Sequence, residues 1–508
     1  MNTSPEPFDE SVDVIVVGYG FAGGAAAIAA ADAGCRVLLL EKMAVPGGIS
    51  ICSGGGLRIA DDPVKALAYL TATNNGTIEA PLIERFAREM TELRGRFERL
   101  AQISRATLKI VERPANYHLP GWDTFNFLEV EQVPGFDPRV EFPHARSLRA
   151  GINAFKVVSD NVRARASIEV RFNAPVGRLE RDAEGRVCAV SVALGDRTRR
   201  IGARRGVILA CGGFEADGAM QRQYWQVHPV LPAATRGNTG DGIRMAQALG
   251  ADLRHMWHYH GSYGFRHPDP EYVFGIRTKK LPDWTPGVLS TNVQLSWILI
   301  NRDGRRFMNE YEPYAHDTGA RAFDRFDPVT LRLPAVPATM VFDETRRKAY
   351  PVARSFINDA DIACYDWSED NLKEVEIGIL KRADTVDNMA KALEVDAKVL
   401  HATIDEWNAL CGTETPDSFG RPAATRAPVI DPPFYFGHVW PVVSNTQGAL
   451  AHDIDQRVLD PYGTPIEGLY VAGELGSIWG YLYLSGGNLA ECFISGRIAA
   501  EHAATRMA

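Results

Sequence analysis

The run Gly18-Tyr19-Gly20-Phe21-Ala22-Gly23 constrains this chain more than any other feature. It follows Val12 to Val17, which reads as a short buried strand. It leads into Gly24 to Ala33, an alanine-rich stretch that predicts a tightly packed helix. Gly34-Cys35 turns the chain, and Arg36 to Leu40 gives a second apolar strand ending at Glu41. In such a βαβ unit Gly18 permits the tight turn, and Gly20 lets backbone approach a pyrophosphate. Gly23 lets helix and sheet pack closely. The helix start offers free N–H groups and partial positive charge to phosphates. Glu41 can accept hydrogen bonds from ribose hydroxyls. The unit predicts a bound dinucleotide.

A second small-residue stretch, Gly47 to Gly56, favours FAD over NAD. Gly48, Ile49, Ser50, Ser53, Gly54 and Gly55 form a loop that an extended cofactor can approach closely, which an NAD site does not need. Thr71 to Leu100 has helical periodicity, and Val176 to Val190 reads as a strand pair turning at Asp182 to Gly185. Gly206 to Phe214 is an apolar strand ending in Gly212-Gly213, and Thr239 to Gly242 precedes a helix over Ile243 to Leu249. From Arg266 the texture changes, with more Pro, Trp, Tyr and charge, and the βαβ style returns near Phe436. Gly468 to Glu474 is a strand ending in Gly473-Glu474, and Ser485-Gly486-Gly487-Asn488-Leu489 opens a helix ending near Ala503. The expected division is a cofactor domain over 1–265 and 436–508, with an inserted cap over 266–435. A cap over a flat cofactor makes an interdomain cleft suited to a substrate.

With 508 residues, two domains are the reasonable expectation. A net charge of −8 argues against nucleic-acid and anionic-membrane partners. The seven cysteines show no C-x-x-C pair, which fits a reducing compartment. The start is polar and acidic, unlike a signal peptide, and the apolar runs are too short to span a membrane. A cytoplasmic location is expected. No metal is expected: His255, Trp257, His258, Tyr259 and His260 read as a strand with an aromatic face.

Together these stretches resemble the flavoprotein family of soluble fumarate reductases and 3-ketosteroid dehydrogenases. The match is strongest at Gly18–Gly23, Gly47–Gly56, Ile208–Phe214, Thr239–Gly242 and Gly468–Ala490. The run Ile298 to Glu310 matches the family's cap hairpin. The resemblance implies an α/β fold: a Rossmann-like FAD-binding domain of the GR2 type with an inserted α+β cap. It also implies non-covalent FAD and hydride transfer to the flavin. Cofactor contacts are implied from Phe21, Ala22, Lys42, Val176, Ala210, Gly212, Gly213, Asn238, Asp241, Gly473, Glu474, Gly486, Asn488 and Leu489.

The departures from the fumarate reductases are informative. Tyr314 stands where they have a proton-donating arginine, Leu484 where they have a second arginine, and Asn445 where they have a carboxylate-gripping histidine. A dicarboxylate needs cationic clamps, so dicarboxylate chemistry is not expected. Pro313-Tyr314, Tyr483 with Gly487, and Ser485 match the ketosteroid dehydrogenases instead. The resemblance implies desaturation beside a ring ketone, on a 3-ketosteroid or a smaller cyclohexanone-type substrate. The Tyr483 hydroxyl and the Gly487 N–H would stabilise charge on the carbonyl oxygen. Tyr314 is the candidate base. Ser485 is either a helix N-cap or a proton relay. Tyr117, in an aromatic segment reaching Phe136, is a further candidate, and His118 is read as packing. The partners expected are a cyclic ketone and an external electron acceptor. The alternative is the reverse reaction, an ene-reductase on a substrate other than a dicarboxylate, fed by an external donor.

Overall fold

The computed structural model describes residues 8–146, 149–279, 294–312, 314 and 317–506. Pro313, half of the Pro-Tyr pair, and residues 1–7 lie outside them. The apolar strand Glu10–Val17 sits in an eight-stranded sheet between Val37–Leu40 and Arg197–Leu209, parallel to both. Ile168–Arg171 extends one side in parallel and Pro465–Val471 the other. The predicted strand pair appears as Val176–Arg181 and Val187–Leu194, an antiparallel hairpin on the edge of Arg197–Leu209.

The fingerprint folds as its residue types demand. Gly18 takes φ +103°, and a Cβ there would lie 2.4 Å from the Ala210 carbonyl oxygen. At Gly23 a Cβ would lie 1.8 Å from the Gly18 carbonyl oxygen, so this helix can approach the strand only without a side chain there. The helix Phe21–Asp32 packs against the last helix, Gly487–Thr505. There Gly496 faces Ala22 and Ala26, and both helices are small-residue surfaces at the contact.

The periodic segment after residue 71 resolves into two helices, Pro63–Asn74 and Ala80–Ile103. Asp62 caps the first, accepting from the Val64 and Lys65 amides.

A second eight-stranded sheet is built around Phe434–Thr446. Ala338–Phe342 and Tyr259–Arg266 flank it, both antiparallel. Gly275–Thr278 and Ala353–Arg354 continue beyond the latter. The expected domain cuts at 265/266 and 435/436 therefore pass through two strands of this sheet. Sequence texture changes with surface composition, whereas strand pairing runs across it. The expected strand over 255–260 is also corrected. His255 has φ +34°, and extended structure begins only at Tyr259.

The cap hairpin is held from inside. Buried Glu310 accepts from the Leu299 amide at 3.0 Å and pairs with Arg306 at 2.8 Å and Arg421 at 3.1 Å. Arg421, fully buried, also donates to the carbonyls of Trp297, Leu295 and Thr425. Among the described residues no helix is long and apolar enough to cross a membrane.

A Cβ at Gly496 would lie 2.6 Å from the Ala22 carbonyl oxygen. Gly496→Val should therefore destabilise the protein by about 1–3 kcal/mol through overpacking. Urea unfolding followed by far-UV circular dichroism measures this, with the unfolding slope unchanged.

Candidate active site

Two clefts meet between the sheets. The first is lined by Gly18, Gly20, Phe21, Ala22, Glu41, Lys42, Gly48, Ile49, Ser50, Val176, Ala210, Gly212, Asn238, Asp241 and Glu474. The second, a cavity of about 430 Å³, is lined by Ser53, Gly54, Gly55, Tyr314, Tyr483, Ser485, Gly486, Asn488 and Leu489, among others. Ile49, Ser50, Glu474 and Cys492 line both, so the two clefts adjoin.

The first cleft suits the nucleotide end of FAD. The helix start at Phe21 has no side-chain cap from Gly20, leaving its first turn open to phosphate. Glu41 accepts from the Tyr19 amide at 2.9 Å and the Met43 amide at 2.8 Å. Burial raises its pKa, and the two amides pull it back. Its remaining lone pairs are placed for ribose hydroxyls. Lys42 Nζ bonds Asp241 at 2.6 Å and Thr239 at 2.7 Å, tying the two segments across the cleft.

The remaining predicted cofactor glycines, Gly23, Gly213 and Gly473, line neither cleft. They make the close packing behind it instead. Gly213 leaves room for the Thr446 hydroxyl, which a Cβ would meet at 1.7 Å. The Gly473 amide donates to Ser495 Oγ at 2.8 Å.

At the junction, Thr446 donates to Glu474 through its amide at 2.7 Å and its hydroxyl at 2.9 Å. Asn238 bridges Glu215 at 2.6 Å and Glu474 at 3.3 Å. Burial raises the pKa of both carboxyls, so the pair holds a proton more readily than exposed glutamates do.

The turn Tyr483–Asn488 brings Tyr483, Ser485, Gly486 and Asn488 to the lining of the second cavity. It is pinned at three points. The Tyr483 amide donates to Asp317 Oδ2 at 3.0 Å, the Ser485 amide to Asn116 Oδ1 at 2.9 Å, and Arg58 Nε to the Ser485 carbonyl at 2.7 Å. Arg58 is fully buried over the Phe127 ring, and burial lowers its pKa to about 9. The Asn488 amide donates to the Tyr483 hydroxyl at 3.3 Å, so that oxygen accepts from the helix start and keeps its own proton to give. Asn488 Oδ1 is buried and has no protein partner, an acceptor suited to a ring N–H of the flavin.

Tyr314 faces Tyr483, with ring centroids 6.3 Å apart and planes 29° from parallel. Burial pushes its phenol up to about 12. A hydrogen bond from Ser485 and the charges of Arg58 and Arg277 pull against that rise. His260 lies against both rings, 4.4 Å from Tyr483 and 5.9 Å from Tyr314.

Two expectations are corrected. The Gly487 amide donates to the Leu484 carbonyl at 2.7 Å, and a Cβ there would strike Trp479. This amide closes a turn and is not offered to the cavity. Ser485 is not the helix N-cap: that position is Gly486, at φ +77° and with no side-chain cap bond, and Ser485 hydrogen-bonds Tyr314 instead.

Tyr117 does not line the cavity. It lies edge-on to Tyr314 at 6.5 Å, and its hydroxyl donates to Asp317 Oδ2 at 2.9 Å. His118 packs on Trp122. Asp317 escaped sequence reading, although it holds both Tyr117 and the Tyr483 backbone. Burial opposes its charge, but His258, 3.5 Å away, with Arg321 and His260, keeps its pKa below the usual value. His258 Nδ1 faces the Trp479 carbonyl at 2.6 Å and its Nε2 faces Arg321 at 3.1 Å. Among the described residues no group of His, Cys, Asp and Glu could hold a metal ion.

A family model described as FAD binding domain matches residues 13–489. The chain belongs to this FAD-binding family. It is 27% identical to a 3-oxosteroid 1-dehydrogenase of Mycolicibacterium smegmatis, covering 97% of each chain. It is also 27% identical to a urocanate reductase of Eggerthella lenta, covering 99% of this chain and 76% of that one. Among solved structures it resembles a 3-ketosteroid Δ1-dehydrogenase from Sterolibacterium denitrificans, with a TM-score of 0.78, 25% identity and coverage of 97% and 99%. The chain is thus an FAD-dependent oxidoreductase acting on carbon–carbon bonds.

Glu41→Ala removes the acceptor for the Tyr19 and Met43 amides and the carboxylate expected to face the ribose. FAD should bind about 10- to 100-fold more weakly, the cost of one or two hydrogen bonds to a charged group. The ratio of 450 nm flavin absorbance to protein after gel filtration measures the loss.

Proposed function

We propose that this protein is a dehydrogenase that introduces a C=C bond beside a ring ketone, in a 3-ketosteroid or a smaller cyclohexanone. One observation carries the reading: two stacked tyrosines share a cavity, one supplied with a hydroxyl proton to donate, the other with a hydroxyl partner. The Tyr483 hydroxyl, already accepting from the Asn488 amide, donates to the ketone oxygen. That acceptance strengthens its donation, because chained hydrogen bonds polarise one another. Charge developing on the oxygen as the α-carbon loses its proton is stabilised at this point. Tyr314 takes the α-proton, and Ser485, bonded to it, holds the phenol in place or relays the proton on. FAD supplies the two-electron acceptor for the β-hydrogen, which leaves with its bonding pair as the C=C bond forms. An external acceptor then reoxidises the enzyme. A division of labour follows, with cofactor binding in segments near the two chain ends and Tyr314 contributed by the cap.

The support comes from position. Tyr314 stands where the fumarate reductases, as the resemblance has it, carry their proton-donating arginine. A relative along the whole chain is a 3-oxosteroid 1-dehydrogenase.

Tyr314→Phe should lower kcat by about 10²- to 10⁴-fold, the usual contribution of a positioned base. Tyr483→Phe should lower it by about 10²- to 10³-fold, as loss of one oxyanion donor does. Both should keep bound flavin. Anaerobic bleaching of oxidised flavin by a ketone panel is the assay; full activity in both variants overturns the assignment.

The pH profile is a separate check. A base must be deprotonated to act, and Tyr314 is held near 12. The competent fraction therefore falls as pH drops, and kcat/KM should rise by about tenfold per pH unit between neutrality and pH 10. A profile flat across that range would remove Tyr314 as the base.

A further inference from the structure

Arg58 is fully buried on the strand Leu57–Ala60. Strand register sets it opposite Phe127, and its guanidinium carbon lies 3.7 Å from the centre of that ring. Its amide donates to the Gly486 carbonyl at 3.3 Å, its Nε to the Ser485 carbonyl at 2.7 Å and its Nη1 to the Arg113 carbonyl at 2.6 Å. Phe127, Ser485 and Gly486 line the cavity that holds Tyr483, so this cation stands directly behind the wall.

Arg58 has no acidic counter-charge. Among the described residues no carboxylate pairs with it; the phenols Tyr69, Tyr314 and Tyr483 favour its charge and Arg113 opposes it. Other buried guanidinium groups of the chain are met more fully. Arg421 has Glu310 at 3.1 Å, and Arg426 has the carbonyls of Arg421, Leu410, Thr413 and Thr415. A buried cation held on two carbonyls and an aromatic face is costly in the resting protein. It becomes favourable when negative charge forms beside it, because little water screens the attraction there.

The carboxyls around the cavity are engaged elsewhere. Asp317 lies 3.5 Å from His258 and 3.9 Å from Arg321. Glu310 pairs with Arg306 and Arg421, and Glu129 with Lys109. Glu312 accepts from the Thr318 hydroxyl, and Glu474 from Thr446. The groups fixed around the Tyr483 hydroxyl then act in one direction. The Asn488 amide donates to its oxygen, its own proton is left to give, and Arg58 puts positive charge behind the same turn. Preorganised donors and charge of this kind favour an anion without rearranging when it forms.

We propose that Arg58 is the counter-charge for the oxygen that Tyr483 holds, acting through the turn Tyr483–Asn488 as a positioning residue, so that the cavity takes an oxygen bearing negative charge in preference to its neutral form. The stable ligand class of that kind is a phenolate. It is a flat ring with charge on one oxygen, like the enolate formed when a ring ketone loses its α-proton. The inference rests on Tyr483 as the group that meets the ketone oxygen, and the chemical step is the one already given.

The test uses FAD-loaded protein and 4-nitrophenol, whose neutral and ionised forms differ in absorbance. Followed by difference spectra, the bound phenol should ionise at lower pH than the free one, with phenolate bound about 10-fold or more tightly than phenol. Arg58→Gln keeps a donor for the neighbouring carbonyls and removes the charge, so it should cut that preference by about 10-fold. Arg58→Lys keeps the charge and should retain most of the preference. In turnover of cyclohexanone with an artificial acceptor, Arg58→Gln should lower kcat by about 10-fold and leave KM within about twofold, since the charge it answers exists only as the proton leaves. Equal affinity for phenol and phenolate in the wild-type protein, or no saturable binding of either, would overturn the proposal. So would a glutamine variant that keeps the preference, which would leave Arg58 a packing residue.

The same measurement stands apart from the ketone reading, because a phenol reports the charge without being oxidised. If phenolate is preferred through Arg58 and no ketone bleaches the flavin, the reaction reading falls and the counter-charge stands. If ketones bleach the flavin while phenol and phenolate bind alike, the reaction reading stands and the counter-charge falls.

Discussion

The contact between the first and last helices is the constraint on which the rest of the site depends. Gly496 lies against Ala22 and Ala26, so the two helices approach as closely as backbone allows. Each has its N-terminus at a cleft. The start of Phe21–Asp32 lines the nucleotide cleft, and the start of Gly487–Thr505 lines the adjoining cavity. Both ends carry partial positive charge. One close packing interaction between sequence-distant segments thus points two electropositive ends into one continuous groove.

The turn before the last helix carries residues proposed to act on the substrate. Asp317, Asn116 and Arg58 reach it from three separate segments, and each is buried or nearly so. Buried charges of this kind are costly to desolvate and are tolerated when their hydrogen bonds are met. Asp317 serves two tyrosines at once, accepting from the Tyr117 hydroxyl and the Tyr483 amide, with His258 behind it. Rigidity is thereby placed beneath the groups proposed to react, where an error of an ångström would matter most.

The cofactor half of this arrangement was legible from the chain alone, because each of its parts is local. Strand, glycine turn, helix, strand and Glu41 follow one another within about thirty residues, and their spacing is set by backbone geometry. Tyr314, Tyr483 and Ser485 were legible only through resemblance, and their meeting in one cavity is a tertiary fact. The Gly487 expectation and the N-cap alternative for Ser485 failed for a local reason. Which amide of a tight turn faces outward depends on one φ value, here Gly486 in the left-handed region, and composition does not encode it. The domain cuts failed because strands of the second sheet run past the points where composition changes.

The sequence by itself determined that a βαβ unit forms at the N-terminus and that a dinucleotide fits it. The turn needs glycines where a Cβ would collide with backbone, and few other folds place them so. Only the tertiary structure decided what shares the second cavity. Asp317, Arg58 and the facing pair Arg277 and Arg354 are scattered charged residues in the chain, and an isolated arginine or aspartate in a sequence reads as solvated surface. Strand register sets Arg277 against Arg354, and helix packing brings Tyr483 toward the cap. Register and packing are global outcomes of burying two sheets and their helices together, so the character of the substrate site is written in the fold.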